Sequence, residues 1–304
     1  MTRLALATIL LIFELGAVPA IAQERETLGF GRLFTNDYFG DGLDRWRSGS
    51  YSFSVIRGQD WDGALPERFG ALLEYRLRSE IIAPRRLNGA GSDDRPYVGA
   101  ATLGLHSHFA RGAAEISAGL DLTVTGPQTG IGAMQEWFHE VIDAPRPAVL
   151  EDQIDNAVYP TATVAITRPY AIAENLTLRP YIEAQIGVED LFRVGGDLIY
   201  GRVGHSDLWL RDSPTGQLYR GIEGEARGFA FVAGADFTQV QSSAYLLESM
   251  GYFPTDTRVR ARAGIHWQMA PQTSFFYGAT WLSEEFVGQP EGQILGSLKL
   301  NFNF

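Results

Sequence analysis

Gln135 and His139 stand four residues apart in segment 130–142 (GIGAMQEWFHEVI), where Ile131, Met134, Phe138, Val141 and Ile142 follow helical spacing. Pro127 precedes the segment, and Pro145 and Pro147 stop it. The i, i+4 spacing puts both polar side chains on one helix face, one turn apart. A histidine so placed can serve as general base on water, with the glutamine orienting the ring or a substrate carbonyl. The same spacing also suits a histidine that only packs the helix or meets solvent. A second group of candidates is Thr35-Asn36-Asp37-Tyr38-Phe39, followed by Asp41 and Asp44. An amide carbonyl, carboxylates and neighbouring backbone carbonyls are the hard oxygen donors that Ca²⁺ takes. The spacing is not that of an EF-hand, and turn chemistry accounts for these residues equally well. Ser48-Gly49 brings a hydroxyl toward Asn36 and Asp37, but no Gly-x-Ser-x-Gly elbow surrounds it, so a serine nucleophile is not expected. His106 and His108 share one strand face with no third ligand in reach, which reads as a polar pair rather than a metal site.

The elements that must position these residues are strands. In 72–82 (LLEYRLRSEII), Glu74, Arg76, Arg78 and Glu80 lie on one face, opposite Leu73, Tyr75, Leu77, Ser79 and Ile81. Segment 258–269 sets Arg258, Arg260 and Arg262 against Val259, Ala261 and Ala263 in the same period of two. The chain closes on 294–304, with Leu298, Leu300, Phe302 and Phe304 opposite Lys299, Asn301 and Asn303. About twelve such runs occur, near 27–36, 47–57, 67–82, 95–110, 113–126, 156–169, 175–188, 191–204, 226–239, 257–270, 273–286 and 292–304. A soluble sandwich would bury its apolar faces and expose its charged ones. Here charges persist along one face at membrane depth, as a polar lumen and a lipid-facing exterior require. The expected fold is all-β: a transmembrane antiparallel β-barrel of about twelve strands, with one short helix in an outer loop.

Composition narrows the functions. The 304 residues carry 25 Lys+Arg against 36 Asp+Glu, a net charge of −11, and no cysteine. Zero cysteine excludes a thiol nucleophile, a disulfide framework and a cysteine-rich metal site. The acidic balance argues against nucleic acid as a partner, which demands a basic face. A mean hydropathy of −0.08 excludes a bundle of membrane helices but not a barrel, in which alternate residues face lipid. Residues 1–22 read as a signal peptide, with Arg3, an apolar core from Leu4 to Phe13 and Ala20-Ile21-Ala22 before the cut. Residues 23–304 are then one barrel domain, expected in the bacterial outer membrane as a monomer.

Taken in order, several short motifs resemble the lipid A 3′-O-deacylase (LpxR) family of outer-membrane barrels. They are Asn36-Asp37-Tyr38-Phe39 with Asp44 through Gly49, Asp93-Asp94-Arg95-Pro96-Tyr97, Thr125-Gly126-Pro127, Gln135-x-x-x-His139, Asp152-Gln153-Ile154-x-Asn156 and Ser283-Glu284-Glu285-Phe286. The resemblance covers essentially all of residues 23–304. It implies calcium-dependent hydrolysis of the ester that holds the 3′-acyloxyacyl group of lipid A, the membrane anchor of lipopolysaccharide. It further implies His139 as the base on water, Gln135 in support, Asn36 and Asp37 at the calcium, and Ser48 where the family tends to place a threonine. Two departures accompany it. The family's active-site lysine has no counterpart in 83–94, which holds Arg85 and Arg86, and Ala144-Pro145 stands where a glutamate is expected.

Two other classes compete with the hydrolase: a catalytically impaired barrel that binds lipopolysaccharide or serves a structural role, and a small pore. The only lysine, Lys299, lies in the last strand, so any cation at the site must be an arginine or a bound metal.

Overall fold

The computed structural model describes residues 24–87, 94–141, 143, 148–271 and 273–302. The expected signal segment 1–22, Asp93, the Ala144-Pro145 pair and the terminal Phe304 lie outside the described residues. The chain forms β1 (Glu26–Asn36), β2 (Trp46–Gly58), β3 (Leu72–Ala83), β4 (Val98–Arg111), β5 (Ala114–Thr125) and β6 (Ala157–Thr167). A short β7 (Tyr170–Ala173) precedes β8 (Leu176–Ile186) and β9 (Glu189–Gly201). Then come β10 (Leu208–Arg211), β11 (Leu218–Ile222), β12 (Gly228–Ser243), β13 (Thr257–Ala270), β14 (Thr273–Leu282) and β15 (Gln293–Phe302).

Antiparallel pairing runs from β6 back to β1, on to β15, and down through β12 and β9 to β8, which pairs with β6 and closes the ring. Twelve strands make this wall; β7 only lengthens the end of β8, and β10 and β11 pair apart from it. Each wall strand lies within a few residues of its expected run. The faces also fall as the alternation requires. Glu74, Glu80, Arg258, Arg260 and Arg262 are buried in the lumen, while Leu77, Leu103, Leu120, Phe192 and Phe231 stand on the outside. Such an exterior would be unstable in water over so large an area and is at home in lipid.

The connection between β9 and β12 carries the feature that alternation did not announce. Its hairpin, β10 with β11, folds into the lumen from the end of the barrel that holds the start of β1 and the end of β15. Leu208, Leu210, Tyr219 and Ile222 of the hairpin form one buried cluster with Leu33, Ile56, Leu72 and Phe276 of the wall. Gly29 makes room for it, because a β-carbon there would run into the carbonyl oxygen of Gly221. Polar contacts tie the hairpin to several strands: Asp212 accepts from Ser52 (2.9 Å), and Gln217 donates to the carbonyl of Ala279 (3.0 Å). Arg260 donates to the Ser213 carbonyl (2.6 Å), and Lys299 donates to the Arg220 carbonyl (3.0 Å) and to Glu223 (2.6 Å). The lower lumen therefore holds a plug, with a polar cavity of about 90 Å³ left between it and the wall at His106, His108 and Arg179.

At the other end, the long connection from β5 to β6 holds helix α1 (Ile131–Val141), close to its expected bounds. Ile131 and Thr129 pack over Gly99 at the start of β4, and Gly132 sits between Leu150 and the ring of Tyr97. The return segment is pinned by the Ile154 N–H on the Tyr97 carbonyl (3.0 Å) and by the Gln128 N–H on the Asn156 side chain (2.8 Å).

Candidate functional site

The chain leaves β1 through Asn36, whose side chain fixes the turn from both sides. Its Oδ1 accepts from the Tyr38 N–H (2.9 Å), and its Nδ2 donates to the Ser48 carbonyl across the turn (2.9 Å). Asp37 begins a short 3₁₀ turn and is almost wholly buried, 2% exposed, with its Oδ2 accepting from the Arg45 N–H (2.9 Å). The charges that act on it are Asp44 and Asp41, both negative. Burial, with those two carboxylates adding to it against the Arg45 and Tyr38 N–H groups, pushes the Asp37 carboxyl up to about 8.

Returning into β2, the chain passes Trp46 at φ +50°, a left-handed conformation uncommon for a bulky residue. Two contacts hold it there. Arg45 stacks on the indole with its guanidinium 4.2 Å from the ring centre, and Nε1 donates to Asp94 (3.3 Å). Ser48 follows as the extra residue of a β-bulge: Arg47 pairs with Ile82 and Gly49 with Ile81, leaving Ser48 without an opposite number. Its side chain is buried, and its Oγ has no hydrogen-bond partner among the described residues.

Helix α1 brings the remaining pieces over this turn. Gln135 and His139 are both buried on its inner face. His139 Nε2 lies 3.6 Å from Asp44 Oδ2, which joins the helix to the β1–β2 turn. Gln135 Oε1 and the Tyr97 hydroxyl are two more buried polar atoms without a hydrogen-bond partner among the described residues. Burial, and then the Asp44 charge, raise the Tyr97 hydroxyl above the usual phenol range. The rim thus collects a histidine beside a carboxylate and, among the described residues, a buried carboxyl with no ion pair and three polar atoms without a hydrogen-bond partner.

Asn36, Asp37 and Ser48 share one turn, and Gln135 and His139 share the helix packed above it. Asp44, which the sequence offered as one of the oxygen donors after Asp37, instead links the two groups through its contact with His139. The motif residues Arg95 and Glu285 go elsewhere: Arg95 pairs with Glu285 (2.6 Å), and Glu285 also takes Arg47 (2.7 Å), inside the lumen. His106 and His108 also point into the lumen, onto Asp121 (2.9 Å) and Glu74 (2.8 Å), as the polar pair expected of them. Among the described residues, no three His, Asp or Glu side chains converge in a metal-binding group. The donor set around Asp37 still fits a hard cation. Among the described residues it offers a buried carboxyl with no ion pair, an amide oxygen, a serine hydroxyl with no hydrogen-bond partner and adjoining carbonyls.

A closed twelve-stranded barrel with an apolar exterior, a charged lumen and a helix-covered rim site defines an outer-membrane β-barrel protein. The chain belongs to the LpxR family: the sequence model of the family described as "Outer membrane protein LpxR" matches residues 4–304. Its fold is similar to LpxR from Salmonella typhimurium, with a TM-score of 0.75 at 19% identity, over 91% of this chain and 100% of that one. Much weaker likenesses reach the NanC porin (TM-score 0.43, 7% identity, 91% of this chain and 100% of that one) and the KdgM porin (0.42, 6%, 91% and 99%). No curated protein matches the chain in sequence. The outer membrane is its location.

Proposed function

We propose that this barrel is an ester hydrolase of the outer membrane that removes the 3′-linked acyloxyacyl group from lipid A. The observation that carries the reading is the meeting of His139 and Asp44 over the turn that holds Asn36, Asp37 and Ser48. In this reading His139 takes a proton from water as the water attacks the ester carbonyl and returns it to the leaving sugar oxygen as the acyl C–O bond breaks, and Asp44 stabilises the charge the ring carries in between. Gln135, one turn earlier, presents a buried Oε1 that can accept from the same water. Asn36 is locked by its two hydrogen bonds and cannot rotate away, so the turn is preorganised before substrate arrives. Ser48 Oγ, at the bulge, has no hydrogen-bond partner among the described residues and would donate to an oxygen of the bound ester. Asn36 and Asp37 would hold the calcium, whose chemistry is to polarise the ester carbonyl as a Lewis acid.

A second reading keeps the fold and drops the chemistry, leaving a barrel that only binds lipopolysaccharide. It is favoured by the place of the only lysine, which is buried against the plug at the far end and cannot stand in for the family's active-site lysine. Mass spectrometry of lipid A from cells expressing the wild type or His139→Ala, in calcium-replete medium, separates the two. Loss of the 3′ acyl chains with the wild type alone supports the hydrolase. Acylation unchanged by the wild type sinks it.

A further inference from the structure

Between the rim and the tip of the plug, the lumen holds a cavity of about 40 Å³. Five guanidinium groups reach its lining, from Arg47, Arg78, Arg193, Arg258 and Arg260, against three carboxylates, Glu80, Glu189 and Glu285. Most of these arginines have partners: Arg47 pairs with Glu80 and Glu285, Arg258 with Glu189 (2.9 Å), and Arg260 with Asp236 (2.9 Å). Arg78 does not. It is 9% exposed and, among the described residues, makes neither a hydrogen bond nor an ion pair. The carboxylates whose charges reach it are committed elsewhere: Glu80 to Arg47, Asp121 to His106, and Asp212 to Ser52 and Thr215.

Hydrogen bonding points the same way. Arg78 Nε, Arg258 Nε, Arg260 Nη2 and the Tyr245 hydroxyl are buried without a partner among the described residues, and all four side chains line this cavity. None of these orphans is a carbonyl or carboxylate oxygen. Water molecules would accept from these donors, but water brings no charge to set against a guanidinium held out of solvent. A small anion does both. One water needs roughly 10–15 Å³ by this measure, so the space takes a halide with a water or two and excludes bulky organic anions. We propose that the cavity is a binding site for one small inorganic anion of the halide class, chloride in practice, held by Arg78, Arg258, Arg260 and Tyr245. Because Ser213 and Pro214 of the plug form part of the same lining, the anion ties the tip of the plug to the rim network.

The test uses the mature barrel folded in detergent micelles, with thermal unfolding followed in sodium chloride, bromide or gluconate at equal ionic strength. The midpoint should be higher in chloride and bromide than in gluconate. Arg78→Met should lose that difference and should unfold in gluconate no earlier than the wild type does, since the uncompensated charge is gone. A purely structural arginine would instead lower the midpoint equally in every salt, which would overturn the proposal. Equal midpoints of the wild type in chloride and gluconate would also overturn it. Should Arg78→Met fail to fold, Tyr245→Phe serves: losing one hydrogen bond to a charged ligand raises the chloride needed for half the shift by about tenfold. An unchanged chloride requirement would remove Tyr245 from the site and the proposal with it.

Discussion

The carboxylate of Asp44 lies 3.6 Å from Nε2 of His139, and this contact joins the rim helix to the turn that follows the first strand. Free-enzyme geometry of this kind commonly tightens when substrate excludes water. If His139 is the base, His139→Ala lowers deacylation by about 10²–10⁴-fold. Asp44→Asn keeps the shape and removes the charge, so it should cost about tenfold or more, the worth of a charge-assisted contact. Asp44→Asn should also move the pH–rate profile, which a merely structural aspartate would leave in place. Rates on purified lipopolysaccharide across a pH series check both variants.

Asp37 makes the calcium assignment measurable without turnover. Its carboxyl is raised from 3.8 to about 8, chiefly by burial. A raised acid stabilises the folded rim fully below its ordinary value, and that contribution is lost as pH climbs through about 8. A cation reverses the preference by favouring the ionised form. Adding calcium at neutral pH to weakly buffered protein should therefore release about one proton per chain, and Asp37→Asn should release none. Calcium that binds with no proton release, or binds equally well to Asp37→Asn, would take Asp37 out of the ligand set.

The barrel itself was legible because lipid on one side and charge on the other leave an unbroken period of two, as in β3 and β13. The helix was legible from the spacing of Ile131, Met134 and Val141. Other features left no such trace. β10 and β11 are short, and most of their side chains are buried within the lumen, so no outward face marks them as strands. The bulge at Ser48 slips the register by one residue, which the pattern of β2 absorbs. The contact of Asp44 with His139 depends on how α1 settles over Gly99 and Tyr97, a tertiary event that neither local sequence records.

Lipid-facing positions should respond differently from lumen positions a few residues away on the same strand. Leu120 is 64% exposed near the middle of β5, between Gly119 and Asp121. Leu120→Arg places a charge at the bilayer midplane and should cost about 2–4 kcal/mol of folding free energy in lipid vesicles. Thr123, fully buried in the lumen, exchanges a hydrogen bond with Thr102 (3.0 Å). Thr123→Ser keeps that bond and should be nearly neutral. Urea titration of the vesicle-folded protein, read by tryptophan fluorescence, compares the two. A neutral Leu120→Arg would mean that this face does not meet lipid.

The plug decides the pore reading. It crosses the lumen from Ser52 on β2 to Ala279 on β14, its cluster with Leu33, Ile56, Leu72 and Phe276 closes one side at that level, and on the other side it leaves a polar space of only about 90 Å³. The wild type should therefore show no conductance steps in a planar bilayer. Replacing 202–227 by a short Gly-Ser turn should produce them, because the lumen that remains is polar. The only lysine acts as a clamp on this element, bonded to the Arg220 carbonyl and to Glu223. Lys299→Met leaves the partly buried Glu223 with a weaker set of partners. A broken buried pair costs about 3–5 kcal/mol, so this variant should conduct intermittently as the plug loosens. The chain has no cysteine of its own, which permits a cross-check: Ser52→Cys with Asp212→Cys should form a disulfide on oxidation and silence the Lys299→Met background. Steady conductance from the cross-linked protein would mean that the hairpin does not close the barrel.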